Sequence, residues 1–384
     1  MADEDPVGID FARQMIDFGL TADDLGPRQY GQEAAAKARR DLKLTWPAGL
    51  APSPYELDPE PATSDPMPRA DVLVVTWTIA EMLALADVLT PGFNPRTRWY
   101  RYDRDFETYL PQIRNGAPSR FAQRLASYFP TKIGSKKVLC VKSELHPNQD
   151  GVTIGAGTAT LPLRTFLHQI YAEVQPKLVI TVGTAGGTLD DAELGDVMIT
   201  RAARFKCAKE FRNESFNNTT YTSTATIKTK HLPAALELMQ VHADQLAEPD
   251  FGPPTKFYDF PGPLIPGVKN TPDIKIDGKH FARNLPMLTT DFFEFGTSAN
   301  GLATEGCGVE MGDAVFGLVA QDLGAAAPKW IVIRNASDPQ INGDLPIGTG
   351  GRNMQAHWAL WYYETFGYWT SVNSAIATWA MIAP

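Results

Sequence analysis

Apolar residues along this chain follow two patterns, and the two alternate. Short runs rich in β-branched residues are typical of buried strands, and apolar residues spaced three and four apart are typical of helices. The predicted strands are residues 71–76, 137–142, 177–183, 196–205 and 330–337. The predicted helices cover residues 79–89, 160–174, about 312–323 and about 353–380. This alternation predicts an α/β fold with helices on both faces of a sheet and a ligand site at the carboxyl ends of its strands.

The alternation is interrupted in three places, and these set the predicted domain organisation. Residues 1–69 end in a stretch rich in proline and acid, which indicates an N-terminal extension or linker, although QEAAAKARRDLKL within it is typical of a short helix. Residues 70–384 form the predicted main domain. Insertions are predicted in it near residues 91–135 and 206–285, the second because it is polar and then rich in proline.

The charge balance narrows the class of protein. The 384 residues include 35 Lys and Arg against 44 Asp and Glu, a formal net charge of −9, and 43% of them are hydrophobic. A hydrophobic share of this size supports a large core, and an acidic chain disfavours a dedicated nucleic-acid binder. The interleaved Arg and Tyr residues at 96–109 are therefore assigned to a solvated helix or a lid over a pocket.

Cysteine content and the two ends of the chain predict a cytoplasmic protein. Cys140, Cys207 and Cys307 lie far apart and form no CxxC pair, which favours neither a zinc site nor a disulfide framework and fits a reducing compartment. The N-terminus is acidic and lacks the apolar core of a signal peptide. Residues 365–384 carry no charge, but their Thr, Ser and Asn residues favour a buried helix over a membrane span.

Four segments carry the candidate chemistry. The first, VGTAGGTLDDAELGDVMI at 182–199, ends a strand in glycines that let backbone N–H groups approach a ligand closely. Its spacing fits neither a dinucleotide-binding fingerprint nor a P-loop, and a tight turn is the plainer interpretation. The other three are LTTDFFEF at 288–295, VEMGDAVFGLVA at 309–320 and IRNASD at 333–338.

In this order, the four segments resemble the superfamily of purine nucleoside phosphorylases and methylthioadenosine/S-adenosylhomocysteine nucleosidases. The resemblance covers roughly residues 71–205 and 286–380 and implies a three-layer α/β/α sandwich with a mixed central sheet. It implies that Asp338 protonates the leaving purine, with Ser337 orienting it, and that Glu81 activates the attacking water. The plainer interpretations are a turn at Ser337 and Asp338 and a helix-start charge at Glu81.

The resemblance also implies a set of substrate-binding residues around these two carboxylates. They are Phe293, stacking on the base, Met311 and Thr184 beside the sugar, and Gly183, Glu310 and Ser337. Phe293 has aromatic neighbours in the sequence, so its register is open by one residue. Phe293 and Met311 are also typical of core side chains.

Position 312 departs from the pattern of the family. The residue after the Met of VEM usually binds the ribose hydroxyls, and here it is Gly312, followed by Asp313. Three explanations stay open. Asp313 substitutes through a local shift, the sugar is modified and Gly312 makes room for it, or the site is degenerate.

The resemblance favours water over phosphate as the nucleophile. Phosphorylases of the hexameric branch place one Arg shortly after strand one and another three residues before the Ser or Thr of the glycine motif. Here those places hold Thr76 to Thr78 and Thr181. Arg201 and Arg204 are a reservation, because either one would suit an anion.

These observations predict an N-ribosyl hydrolase that acts on a purine nucleoside or an adenosine derivative. The alternatives are a phosphate-dependent nucleoside phosphorylase and a nucleoside-binding sensor without catalysis. No organic cofactor and no metal are implied, and among the histidines only His146, just after a strand, is a candidate for the pocket wall. The partner is a small-molecule nucleoside, and a homo-oligomer is expected, with surplus aromatics of the last helix at its interface.

Overall fold

The computed structural model describes residues 42–246, 271–347 and 353–384. The predicted helix QEAAAKARRDLKL lies almost wholly outside these residues, as does the proline-rich part of the insertion predicted near 206–285.

Most strands of the described residues belong to one mixed sheet. The strands are β1 (Ser53–Pro54), β2 (Val72–Thr76), β3 (Tyr100–Tyr102), β4 (Ala126–Ile133), β5 (Lys136–Ser143), β6 (Thr153–Gly155), β7 (Thr158–Ala159), β8 (Leu178–Gly187), β9 (Val197–Thr200), β10 (Ala202–Phe205), β11 (Thr220–Thr222), β12 (Ile274–Ile276), β13 (Met287–Thr289), β14 (Gly308–Glu310) and β15 (Lys329–Asp338). The exceptions are β6 and β7, which pair with each other.

The helices range from one turn to eight. They are α1 (Ile79–Leu89), α2 (Phe106–Tyr109), α3 (Pro118–Ala122), α4 (Pro147–Asp150), α5 (Pro162–Val174), α6 (Leu232–Gln240), α7 (Ala314–Leu323) and α8 (Met354–Ile382), with 3-10 turns at Leu110–Gln112, Ala243–Leu246, Leu302–Thr304 and Gly324–Ala326.

Four parallel strands form the centre of the sheet, in the order β5, β2, β8, β15. Val75 of β2 is in register with Val141 of β5 on one side and with Thr181 of β8 on the other. Strands β4 and β9 flank this centre in the antiparallel direction, and the glycine end of β8 also pairs with β14. Because the four central strands run the same way, their carboxyl ends meet at one edge.

Helices cover both faces of this sheet. The core on one face includes side chains of α1, α6 and α8, and the core on the other face includes side chains of α5 and α7. A mixed sheet between two helical layers confirms the predicted fold class.

Two predicted strands differ from the observed ones, and a long strand lies where an insertion was predicted. The strand predicted at 177–183 continues through its glycines to Gly187, and the strand predicted at 196–205 is divided at Arg201 into β9 and β10. Strand β4, inside the insertion predicted near 91–135, pairs with β5 along its whole length. Pro130 in its middle disguises this strand, because proline is disfavoured within a sheet.

The last helix, α8, is buried inside the chain itself. Its aromatic side chains Trp358, Tyr362, Trp369 and Trp379 are each at most 5% exposed, and the helix packs on β15, β8 and α1. The expectation that its surplus aromatics form a subunit interface is therefore wrong for these four side chains, since they already pack in the core of this chain. Among the described helices, none combines the length and hydropathy that a membrane crossing requires.

Truncation of Trp379 tests the role of this helix in stability. Its ring lies 4.8 Å from that of Trp46, and its indole N–H donates to the carbonyl of Leu50 at 2.7 Å, which attaches the N-terminal segment to the core. We expect Trp379→Ala to lower the free energy of unfolding by about 3–5 kcal/mol, measured by urea denaturation. The control is Phe121→Ala, which removes a side chain that is 72% exposed and should change stability by less than about 0.5 kcal/mol. Equal effects of the two changes would contradict the packing described here.

Candidate functional site

A cleft lies at the carboxyl ends of the four central strands. Its volume, counting the part that opens to solvent, is about 990 Å³. The residues that line it come from strands β5, β8, β14 and β15, from the segments that follow β2, β5, β13 and β14, and from helices α1, α3, α4 and α8. They are Trp77, Thr78, Glu81, Pro118, Lys142, Ser143, Glu144, His146, Asn148, Gln149, Thr184, Ala185, Gly186, Thr290, Phe293, Glu294, Val309, Glu310, Met311, Arg334, Ser337, Asp338 and Tyr363.

Glu81 lies at the start of α1, where it forms a capping box with Thr78. Its Oε2 atom accepts hydrogen bonds from the Thr76 hydroxyl at 2.9 Å and from the backbone N–H groups of Trp77 and Thr78 at 3.0 and 2.9 Å. Burial alone would raise the pKa of Glu81, but the Arg334 guanidinium and the backbone donors outweigh it and hold the pKa below its usual value. Glu81 is therefore both a helix cap and a buried carboxylate that stays ionised.

The other oxygen of Glu81 reaches the glycine end of β8. Thr184 donates to Oε1 from its backbone N–H at 2.7 Å and from its hydroxyl at 2.8 Å. A Cβ atom at Gly183 would collide with the Glu81 carboxylate, so this position must be glycine for the contact to form. Gly183 is not itself among the lining residues, whereas Gly186 is.

Asp338 ends strand β15 and lies 3% exposed in the wall of the cleft. The Ser337 hydroxyl donates to its Oδ1 at 3.0 Å, while its Oδ2 has no hydrogen-bond partner in the described part of the chain. Burial raises the pKa of Asp338 to about 7, although the hydrogen bond from Ser337 acts in the opposite direction. A carboxyl group with such a pKa is protonated in a large share of the molecules near neutral pH, and the free Oδ2 atom can bind a ligand.

Of the neighbouring aromatic side chains, Phe293 is the one that lines the cleft. It is half-buried, and the buried ring of Phe295 lies behind it with the two centroids 5.6 Å apart. Asp291, two residues earlier, faces away and accepts backbone hydrogen bonds from Ala208, Lys209 and Phe211 at 2.8–3.1 Å. The Asp residue of this motif therefore anchors a loop, and Phe293 is presented to the cleft.

Arg334, in the middle of β15, is a central residue that sequence reasoning did not assign. Its guanidinium binds Asp313 through two hydrogen bonds of 2.9 and 2.6 Å, and it lies 3.2 Å from Glu310 and 3.7 Å from Glu81. It also donates to the carbonyl of Thr184 at 3.1 Å. Three buried carboxyl groups thus share one cation, and the arginine of the R-x-x-SD pattern was the signal for it.

Glu310 belongs to this cluster rather than to an open sugar site. Its carboxyl accepts hydrogen bonds from the N–H groups of Gly312 and Asp313 and contacts the Thr289 hydroxyl. Burial and the neighbouring Asp313 carboxylate raise the pKa of Glu310, against the effect of Arg334. Glu310 is therefore the member of the cluster that keeps a proton most readily.

The structure bears on the three explanations for Gly312. Asp313 is fully buried and bound by Arg334, which rules out its substitution for the missing sugar ligand in this arrangement. The space beside Gly312 is filled by the indole of Trp77, because a Cβ atom there would lie 3.0 Å from that ring. Trp77 also stacks on Arg334, with the guanidinium carbon 4.7 Å from the ring centroid. Gly312 thus makes room for a protein side chain.

Met311 and His146 line the same side of the cleft. The Asn148 side-chain N–H group donates to the Met311 sulfur at 2.8 Å, and the other end of Asn148 contacts the His146 ring. Burial lowers the pKa of His146 to about 4, so this ring is neutral near pH 7.

The far end of the cleft holds charged residues that sequence reasoning did not single out. Lys142, at the end of β5, forms an ion pair with Glu144, and Arg124 binds the other oxygen of Glu144 at 2.7 Å. By contrast, Arg201 is held by Asp277 at 2.9 Å, and neither it nor Arg204 lines the cleft. The described ranges contain no group of three His, Cys, Asp or Glu side chains arranged to hold a metal ion.

Comparison with protein-family models and with curated proteins finds no match. Solved structures with a similar fold include a mutant 5′-methylthioadenosine/S-adenosylhomocysteine nucleosidase of Helicobacter pylori with 5′-methylthioadenosine in its active site. It is 11% identical to this chain, and the match covers 82% of this chain and 98% of that chain with a TM-score of 0.42. Another is the 5′-methylthioadenosine/S-adenosylhomocysteine nucleosidase of Neisseria meningitidis in complex with methylthio-immucillin-A, 13% identical, covering 81% and 97% with a TM-score of 0.39. A third is the futalosine hydrolase of Helicobacter pylori, 11% identical, covering 81% and 96% with a TM-score of 0.40. These proteins belong to the superfamily that the sequence motifs resemble.

Removal of Arg334 tests the cluster around it. We expect Arg334→Met to lower the free energy of unfolding by about 3–5 kcal/mol, because it leaves buried carboxylates without a counter-charge. The double variant Arg334→Met/Asp313→Asn should be more stable than Arg334→Met alone, since one of those charges is gone. The control is Arg164→Met, which breaks an exposed ion pair with Asp322 and should cost less than about 1 kcal/mol in urea denaturation. If the double variant were the less stable one, the cluster would not be held together by charge.

Proposed function

We propose that this protein is an N-ribosyl hydrolase that cleaves the N-glycosidic bond of a purine nucleoside or an adenosine derivative with water. The observation that carries this proposal is a pair of buried carboxyl groups with opposite protonation in one cleft. Asp338 has its pKa raised to about 7, whereas the pKa of Glu81 is lowered. Two carboxyl groups whose environments separate their pKa values are typical of an acid and a base that work on opposite sides of a glycosidic bond.

Asp338 is the general acid of the proposal. Its Oδ2, which has no partner among the described residues, donates a proton to N7 of the purine. The bond between the sugar C1′ and N9 then breaks, and its electron pair leaves with the neutralised base. Ser337 positions the carboxyl through its hydrogen bond to Oδ1. The half-buried ring of Phe293 provides a flat surface for the base.

Glu81 and Thr184 form the other side of the proposed site. Loss of the base leaves positive charge on the sugar, and the ionised Glu81 carboxylate stabilises it. The Thr184 hydroxyl is the one donor to Oε1 that can rotate away, so that a water molecule takes its place. This water adds its oxygen to C1′, and its proton passes to Glu81 and then to solvent. Met311 lies beside the sugar.

The charges near Glu81 favour water over phosphate. Arg334 is the nearest described cation, and Glu81, Glu310 and Asp313 already surround it. A phosphate dianion at this place would meet like charges without a free guanidinium. No organic cofactor enters this chemistry. A homo-oligomer and a cytoplasmic location remain predictions from the sequence.

Incubation with a panel of nucleosides tests the proposal. Methylthioadenosine, S-adenosylhomocysteine, adenosine, inosine and guanosine are each incubated with and without phosphate, and free base and sugar are separated by chromatography. We expect base release without phosphate, and a loss of about 10²–10⁴-fold in Asp338→Asn and in Glu81→Gln. Asp322→Asn, on the exposed ion pair, is the matched control.

Three other outcomes of this panel separate the alternatives. Release that requires phosphate and yields a sugar 1-phosphate would make the protein a phosphorylase. Tight binding with intact nucleoside recovered would make it a sensor, an outcome that Trp77 beside Gly312 would then explain. The absence of both binding and release would overturn the assignment of the cleft.

The pH dependence of kcat/KM tests Asp338 separately. The acid works only in its protonated form, and its pKa is raised to about 7. We therefore expect kcat/KM to be level below about pH 7 and to fall tenfold per pH unit above it. The residual activity of Asp338→Asn should lack this fall. An unchanged fall in that variant would assign the titration to another group.

A further inference from the structure

The end of the cleft away from Asp338 contains an excess of positive charge. The Lys142 ammonium and the Arg124 guanidinium bind different oxygens of the single Glu144 carboxylate. Two cations therefore share one anion. Arg124 has a side chain that is 28% exposed, so water screens its charge, whereas the Lys142 side chain is 5% exposed and lines the cleft. The cluster therefore has a net positive charge, and Lys142 is its cation that faces the cleft.

Lys142 also has hydrogen-bond donors to spare. An ammonium group carries three N–H donors, and one of them is used by Glu144 among the described residues. Burial of a charged group is costly unless it is paired and hydrogen-bonded. Burial lowers the pKa of His146 to about 4 and raises that of Asp150 to about 7, so neither adds a full charge here, and the ionised Glu81 is already bound by Arg334 and by backbone donors. The Lys142 ammonium can therefore donate hydrogen bonds to an anion of a ligand.

The position of Lys142 indicates which part of a ligand it meets. It pairs in register with Thr76 of β2, whose hydroxyl binds Glu81. Asp338 lies on β15, three strand positions away in the order β5, β2, β8, β15, which is roughly 14 Å at the usual spacing. With the base at Asp338 and the sugar at Glu81, the group that reaches Lys142 lies on the sugar side opposite to the base. In a nucleoside, the exocyclic 5′ carbon carries such a group.

We propose that Lys142, which shares the Glu144 carboxylate with Arg124, binds an anionic 5′ substituent of the nucleoside, a carboxylate or a phosphate. This inference rests on the proposed function for the placement of the base and sugar. It makes the far end of the cleft a charged binding site and the preferred substrate an anion. A neutral or cationic 5′ substituent gains nothing from the excess charge of the cluster.

A pair of isosteric nucleosides tests this. Adenosine 5′-carboxylate and adenosine 5′-carboxamide differ in charge and barely in shape, and the same pair with hypoxanthine covers the second common base. We expect kcat/KM for the carboxylate to exceed that for the carboxamide by about tenfold or more, the usual effect of a charge-assisted hydrogen bond. The ratio of kcat/KM for adenosine 5′-phosphate to that for adenosine is then compared with the carboxylate-to-carboxamide ratio, which shows whether the site prefers phosphate or carboxylate.

Substitutions of two lysines on β5 test whether the preference for the carboxylate depends on Lys142. Lys142→Met should bring the ratio of carboxylate to carboxamide close to one, and Lys142→Arg should retain a preference for the carboxylate. Lys137→Met removes an exposed lysine of β5 that does not line the cleft, and its ratio should match that of the unaltered protein. Urea denaturation of each variant checks that it is folded.

Binding measured by calorimetry separates this inference from the proposed function. If no nucleoside is cleaved but the carboxylate binds more tightly in a manner that depends on Lys142, the anion site stands and the hydrolase proposal fails. If nucleosides are cleaved with a ratio near one, the hydrolase stands and the anion site is overturned. If inorganic phosphate stimulates turnover and Lys142→Met abolishes that effect, Lys142 holds the nucleophile and this inference is wrong.

Discussion

The site depends on one guanidinium that is shared by three buried carboxyl groups. Arg334 binds Asp313 in two places and lies within 3.7 Å of Glu310 and Glu81. These groups come from β15, β14, the start of α7 and the start of α1, so the cluster joins elements that are distant in sequence. Without the cation, the carboxyl groups would have to take up protons or leave the interior. The ionised state of Glu81 therefore originates outside the helix that carries it.

The two principal carboxyl groups show that a nearby charge and hydrogen-bond donors, and not depth, decide protonation here. Glu81 and Asp338 are equally buried, at 3% exposure each. Glu81 has backbone and hydroxyl donors on both of its oxygens together with Arg334, whereas Asp338 has one hydroxyl donor on one oxygen. Burial raises both pKa values, and only Glu81 has the partners to reverse the effect. Two carboxyl groups at the same edge of the sheet thus have pKa values shifted in opposite directions.

The sequence pattern predicted well those elements that are determined by residues close together in the chain. Helix α1 has the predicted bounds, because its capping box and apolar spacing lie within a dozen residues. The resemblance supplied Glu81, Thr184 and Asp338, and the rule that parallel strands end at one edge predicted where a ligand site would lie. The pairing of Arg334 with Asp313 and the filling of the space beside Gly312 by Trp77 depend on contacts between distant segments. The spacing of residues along one chain does not encode such contacts. In the sequence, Gly312 therefore appeared only as a departure from the family pattern.

The two ends of the cleft differ in their balance of positive and negative groups. At Arg334 three carboxyl groups face one cation, and at Lys142 two cations face one carboxylate. An anionic group attached to a ligand is repelled from the first place and attracted to the second, and the low polarity of the buried walls strengthens both effects. A ligand bound the wrong way round would place its anion among the carboxyl groups and leave the spare donors of Lys142 unused. Charge therefore favours the orientation of an anionic ligand in which its uncharged end lies toward Asp338.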